Sequence, residues 1–168
     1  MKDDIANVYL SQVIERLETA GFNIKTNITH KGQHFEYVAR GRRYEIDKQG
    51  FVFSFFTFSV FPSLDIEGLK DFSAKSFNYA VRSFTIPLPR GLFCGIICYP
   101  VAIVDDVDND TSEFIRKKAP PKHFSAAEMP VIYCLKTREL HYMEITPLWG
   151  SMYWDQLRFI INAMLSPD

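Results

Sequence analysis

The sequence predicts a single α+β domain, in which a mixed or antiparallel sheet is packed by helices. Two apolar runs are the first observation: residues 92–104 are apolar apart from Gly95 and Pro100, and residues 51–60 are rich in phenylalanine. Apolar runs with so little alternation indicate strands that are covered on both faces. The second observation is that strands cluster in hairpins while helical patterns interleave only twice, which favours α+β over a repeating βαβ array.

The first half of the chain is predicted to form one helix and four strands. Apolar residues at helical spacing before Gly21 indicate a helix with one core-facing side. A tight hairpin about Gly41 is predicted to carry the basic sequence Arg40-Gly41-Arg42-Arg43 at its tip. The helix begins near residue 4, and the strands cover residues 23–29, 34–40, 42–47 and 51–60.

The second half is predicted to alternate helices with three further strands. Ser63 and Asp110 are candidate N-caps, and the run at residues 125–128 has the same capping pattern for one further helical turn. The predicted order over the whole chain, residues 1–168, is therefore α-β-β-β-β-α-β-α-β-β-α. The elements are helices from residues 63, 110 and 151, a central strand at 92–104, and a hairpin of residues 131–135 with 140–146.

Composition places the chain among ordinary globular proteins. The formal net charge is −1, so global charge predicts neither a nucleic-acid nor a membrane partner. Aromatic residues make up 15% of the chain and include 15 Phe. This excess indicates a thick core, and it can also supply a dimer interface.

The N-terminal residues and the cysteines predict a cytoplasmic protein. The first ten residues are acidic and have no continuous apolar segment, so no export signal is expected. The apolar run that contains Pro100 is too short to span a bilayer. Three cysteines are an odd number, which is most simply explained by free thiols in a reducing compartment.

Two basic clusters are candidate phosphate or nucleic-acid contacts. The first is Arg40, Arg42 and Arg43, and the second includes Lys122 and His123. Phosphate binding would need both clusters on one face, ideally with exposed aromatic residues beside them. A solvated hairpin tip explains the first cluster equally well. Nucleic acid is therefore a possible partner but not the favoured one.

His123 is the most informative histidine, because two prolines stiffen the segment before it and Glu128 follows closely. Catalytic use would require a partner positioned in space, which spacing alone does not provide. Asp106, Asp108 and Asp110 resemble the start of a calcium loop, but Thr111 stands where that loop needs glycine. A solvated turn explains these aspartates, so no metal site is predicted there.

Taken as helix, strand, strand, strand, helix and strand, the order over residues 4–104 resembles the core of the restriction-endonuclease-like fold. That resemblance implies a helix acid, an acid on the second strand and an acid-x-Lys motif on the third, together holding magnesium against a phosphodiester. The sequence departs from this motif, because Asp47 is adjacent to Lys48 and therefore faces the other side of a strand. The residues concerned are Glu15, Glu36, Glu45, Asp47 and Lys48.

Two functions follow from these observations. The first is a non-catalytic binding or assembly module that self-associates or binds a protein partner, which requires no cofactor. The second is a metal-dependent nuclease, or a degenerate relative of one, which would require magnesium. The aromatic excess and the incomplete catalytic set favour the first function.

Overall fold

A computed structural model describes residues 2–45, 50–84, 94–148 and 151–167. Four helices and a seven-stranded mixed sheet are found in these ranges, which confirms the predicted α+β class. The elements are α1 (Lys2–Thr19), β1 (Asn23–His30), β2 (Gln33–Glu45), β3 (Gly50–Phe61), α2 (Ile66–Arg82), β4 (Cys94–Val104), α3 (Asn109–Lys117), β5 (Ala126–Glu128), β6 (Val131–Cys134), β7 (Glu139–His141) and α4 (Ser151–Leu165).

The sheet has the strand order β1-β2-β3-β4-β6-β7, and β5 pairs with the first part of β4. Strands β1, β2 and β3 form an antiparallel meander. Strand β4 is parallel to β3, and both β5 and β6 are parallel to β4. A parallel pair needs a crossover connection, which α2 provides between β3 and β4. The two long apolar runs are therefore the central strands, as predicted.

Strand β2 corrects the predicted hairpin about Gly41, because residues 33–45 form one continuous strand. Gly41 pairs with Ser54 in the middle of the sheet. A Cβ at position 41 would lie 2.6 Å from Cε1 of Phe22. The glycine is therefore required by the close approach of an aromatic ring and not by a turn. Three strands, not four, precede α2.

Two further local predictions are corrected. Residues 126–128 form strand β5 and not a helical turn. The caps of α2 and α3 also lie elsewhere: Asp65 Oδ1 accepts a hydrogen bond from the Gly68 N–H at 2.7 Å, and Asp108 Oδ1 accepts one from the Thr111 N–H at 2.7 Å. Side-chain oxygens at these positions satisfy backbone donors that the first helical turn leaves unpaired.

Each face of the sheet has its own core. Helices α1 and α4 cover one face, where Phe56, Tyr99 and Trp154 belong to the buried cluster. Helices α2 and α3 cover the other face, where Phe55 and Phe72 are buried. Side chains alternate along β3 and β4, so the same two strands supply both cores. None of the described helices is long and apolar enough to cross a membrane.

Over residues 2–104, the observed order is helix, three strands, helix and strand. This is the order from which the resemblance to the restriction-endonuclease-like core was drawn. Many α+β proteins share such an order, so the order by itself does not establish that core. The resemblance stays a prediction.

Candidate functional site

Among the predicted nuclease residues, the structure describes the side chains of Glu15 and Glu36. Glu15 is exposed on α1, and Glu36 Oε2 accepts a hydrogen bond from the Val60 N–H at 3.2 Å. Burial raises the pKa of Glu36 above its ordinary value. Asp47 and Lys48 lie outside the described residues, and only the backbone of Glu45 is described. The predicted acid–lysine arrangement therefore stays a prediction.

An open groove of about 670 Å³ lies where β3 and β4 end and α2 and α3 begin. Its acids are already engaged: Asp108 caps α3, and Asp106 accepts a hydrogen bond from Lys136 Nζ. These contacts lower the pKa of both carboxyls below their ordinary value. Within the described ranges, no three histidine, cysteine or acidic side chains are arranged to hold a metal ion. The groove therefore does not define a metal centre.

His123 and Glu128, the pair that sequence spacing indicated, lie close together in the structure. His123 Nε2 lies 3.3 Å from Glu128 Oε1, although the two atoms do not have the alignment of a hydrogen bond. The side chain of Glu128 is only 4% exposed, whereas that of His123 is 27% exposed. The other carboxylate oxygen of Glu128 accepts a hydrogen bond from Ser73 Oγ at 3.1 Å. A buried carboxylate thus connects β5 to α2 and to the loop before β5.

Aromatic packing holds the imidazole of His123 in place. Its ring stacks on Phe77 of α2, with centroids 3.9 Å apart and planes inclined by 17°. The loop is also tied to β4, because the Ile96 N–H donates to the Ser125 carbonyl at 3.3 Å. His123 is therefore a clamp that fixes the loop of residues 118–125 against α2.

The same surroundings argue against nucleophilic catalysis by this cluster. Cys98 pairs with Glu128 across β4 and β5 and is fully buried. Burial, and then the charge of Glu128, raise the pKa of the Cys98 thiol well above its ordinary value. A thiol held in this form is a poor nucleophile. Ser73 donates to the Glu128 carboxylate and not to His123, and its side chain is buried, so the hydroxyl is not placed to attack a substrate.

A second histidine site was missed by sequence reasoning. His141 Nδ1 lies 3.0 Å from Ser112 Oγ and 3.3 Å from Arg116 Nη2. Burial, and then the charge of Arg116, lower the pKa of His141 below its ordinary value. Because a guanidinium donates toward the same ring nitrogen, that nitrogen is a weak base for the serine. The cluster therefore joins α3 to β7, and no sequence spacing indicated it.

Register places Arg40 and Arg42 on one face of the sheet and Arg43 on the other, because side chains alternate along β2. Arg40 pairs with Phe55, and Arg42 pairs with Phe53. The Arg40 guanidinium lies 5.5 Å from the ring centroid of Phe53. The predicted basic cluster is thus split, and two of its three members share the face of α2.

Several large apolar side chains remain exposed on the helices and loops. Phe124, next to the His123 clamp, is 83% exposed. On the opposite layer, Phe159 of α4 is 72% exposed. Most other phenylalanines with described side chains are buried or half-buried, so the aromatic excess chiefly fills the core. Phe124 and Phe159 are the exposed phenylalanines among those whose side chains are described.

A scan of protein-family models, a search of curated proteins and a search of solved structures each found no match to this chain. The class of the protein is therefore defined by its fold, an α+β domain with helices on both faces of a mixed sheet. Within that fold, the functional candidates are the loop held by His123, the paired arginines of β2 and the exposed apolar side chains.

Proposed function

We propose that the protein is a non-catalytic binding module that self-associates through the outer surface of α1 and α4. The observation that carries this proposal is the exposure of Phe159. A large aromatic side chain on the solvent side of a helix costs solubility and is unnecessary for the core. A second copy of the chain is the occupant that the proposal commits to.

The position of Phe159 on α4 supports this proposal. The helix buries a stripe of Trp154, Leu157 and Ile161, whose exposed fractions are at most 2%. At about 100° per residue, Phe159 falls on the opposite side of the helix from that stripe. Its ring therefore contributes to a surface and not to the core beneath α4.

Helix α1 adds further apolar surface to the same layer. Val8 is 58% exposed, and Ile5 is also exposed. The two helices are joined directly, because Tyr9 Oη donates to the Leu165 carbonyl at 2.9 Å and Arg16 Nη1 donates to the Met164 carbonyl at 2.9 Å. Apolar side chains on α1 and α4 are thus parts of one helical layer.

Self-association has an energetic basis in this surface. Burying one apolar side chain of this size contributes about 1.5–3 kcal/mol. In a two-fold dimer, the same patch is used by both copies, so each side chain is buried twice. Aromatic residues are also enriched at the centres of protein interfaces.

The test is sedimentation equilibrium of the wild type, Val8→Glu and Phe159→Glu over a range of concentrations. We expect the wild type to dimerise and both variants to be shifted to monomer, because each places a charge in the interface. Phe124→Glu is the matched control, since it changes another exposed phenylalanine on a different part of the fold. A wild type that is monomeric at every soluble concentration would refute the proposal, as would a dimer that neither variant weakens.

A further inference from the structure

The sheet carries two cross-strand rows of side chains on the face of α2, away from the α1–α4 layer. One row is Arg42, Phe53, Ile96 and Ala126, and the next is Arg40, Phe55, Cys98 and Glu128. Both rows lie near the N-terminal ends of β3 and β4. Four neighbouring strands span about 14 Å between their outer members. The arginines and the loop before β5 therefore flank the same end of the sheet.

The two arginines are held with their guanidinium groups over aromatic rings. Arg42 Cζ lies 4.9 Å from the ring centroid of Phe51, and Arg40 Cζ lies 5.5–5.7 Å from the rings of Phe53 and Phe55. Among the described residues, neither arginine forms an ion pair with an acid. A guanidinium over a ring is attracted to the ring face, and its N–H groups can still donate to a phosphate.

The loop on the other side of α2 supplies an aromatic ring next to further positive charge. Phe124 is 83% exposed, and Lys118 and Lys122 are exposed in the same loop. The His123 contacts with Phe77 and Glu128 fix the backbone directly before Phe124. The Glu128 carboxylate is buried and contacts Ser73 and His123, so it points into the protein. The loop therefore presents a positioned ring among cations.

We infer that this end of the sheet binds single-stranded nucleic acid. Arg40 and Arg42 contact phosphates, and Phe124 stacks on a base. Positive charge that follows the backbone, combined with an exposed ring that accepts any base, is how proteins bind single strands without sequence readout. The binding depends on the local arrangement and not on net charge, which is −1. It is independent of the proposed self-association, which uses the other layer.

The test is fluorescence anisotropy with labelled single strands of about 15 nucleotides, in the site-size range of such proteins. Separate arms use DNA and RNA, and a duplex of the same sequence competes. We expect both single strands to bind at about 50 mM salt, with affinity that falls as salt rises. The relative affinity of the DNA and RNA arms identifies the preferred sugar. A duplex that competes as well as the single strand would overturn the inference.

Two variants separate the stacking and phosphate contacts. Phe124→Ala is expected to weaken binding roughly five-fold or more, because the stacked base loses its ring. Arg42→Gln is expected to reduce the slope of log affinity against log salt by about 0.7, the value of one phosphate contact on a single strand. Both side chains are exposed, so circular dichroism should confirm an unchanged fold.

The controls are Leu148→Ala, a fully exposed apolar side chain outside the loop of residues 118–125, and Lys70→Gln, a cation paired with Glu67 on α2. Neither control should change binding. The inference fails if the wild type binds no oligonucleotide at low salt. It also fails if Phe124→Ala and Arg42→Gln bind as tightly as the wild type. These results leave the sedimentation experiment unaffected, so the two proposals can fail separately.

Discussion

The two faces of the sheet are packed in different ways. Beneath α1 and α4 the interior is dominated by aromatic and aliphatic contacts, such as the stacks of Tyr9 on Tyr133 at 3.6 Å and Phe56 on Tyr99 at 4.4 Å. Beneath α2 the interior also holds polar groups. Thr57, Ser73, Ser76 and Glu128 are all buried there.

The two faces therefore differ in what makes their contacts favourable. One depends on the apolar area that is buried, and the other depends on the positions of particular polar groups. An apolar interface is favourable in proportion to the area it buries, and it tolerates small shifts. A buried carboxylate is favourable only while its partners stay in place, because an unpaired buried charge is costly. The polar side therefore fixes the loop before β5 against α2, whereas the apolar side stabilises the fold through the area that it buries. Three sets of substitutions test this comparison.

The largest effect is expected at Trp154, the bulkiest fully buried side chain of the α4 layer. Trp154→Ala should reduce the free energy of unfolding by about 3–5 kcal/mol, because it leaves a cavity in the apolar core. Urea denaturation followed by circular dichroism measures the change. Gln156→Ala, on the exposed side of α4, should stay within about 0.5 kcal/mol of the wild type. A loss of under about 1 kcal/mol for Trp154→Ala would contradict the close apolar packing described for this layer.

An intermediate effect is expected for the contact between His123 and Glu128. A double-mutant cycle of His123→Ala and Glu128→Gln should give a coupling free energy of about 0.5–3 kcal/mol, since the carboxylate is buried. The matched control is the exposed pair Lys117–Glu113, at 3.2 Å, where coupling of about 0.3–0.5 kcal/mol is expected. If the buried pair couples no more strongly than the exposed pair, His123 is not a clamp.

The smallest effect, and one of opposite sign, is expected at Ser76. Its Oγ is buried and has no hydrogen-bond partner among the described residues. In the folded protein this hydroxyl has lost its hydrogen bonds to water and gained none in their place. Ser76→Ala should therefore leave the free energy of unfolding unchanged or raise it by up to about 1 kcal/mol. Ser73→Ala, which removes the donor to Glu128, should be destabilising instead. Equal losses from the two serines would contradict the assignment of partners beneath α2.

Only part of the candidate site could be expected from the sequence. The closeness of His123 to Glu128 was predictable, because only four residues lie between them and two prolines stiffen the approach. The contribution of Ser73 was not predictable, since it comes from a helix 55 residues earlier. Gly41 was misread for a related reason: the ring that it admits, Phe22, reaches it only after α1 and β1 have packed.

The sequence by itself determined the α+β class and the two central strands, because periodicity and apolar runs are local properties of the chain. The tertiary structure alone decided that β3 and β4 pair in parallel, that β5 extends the sheet beside β4, and that Arg40 and Glu128 lie in the same cross-strand row. Cross-strand register depends on how distant segments dock. A one-residue slip would move every side chain of a strand to the other face, so the packed core selects the register.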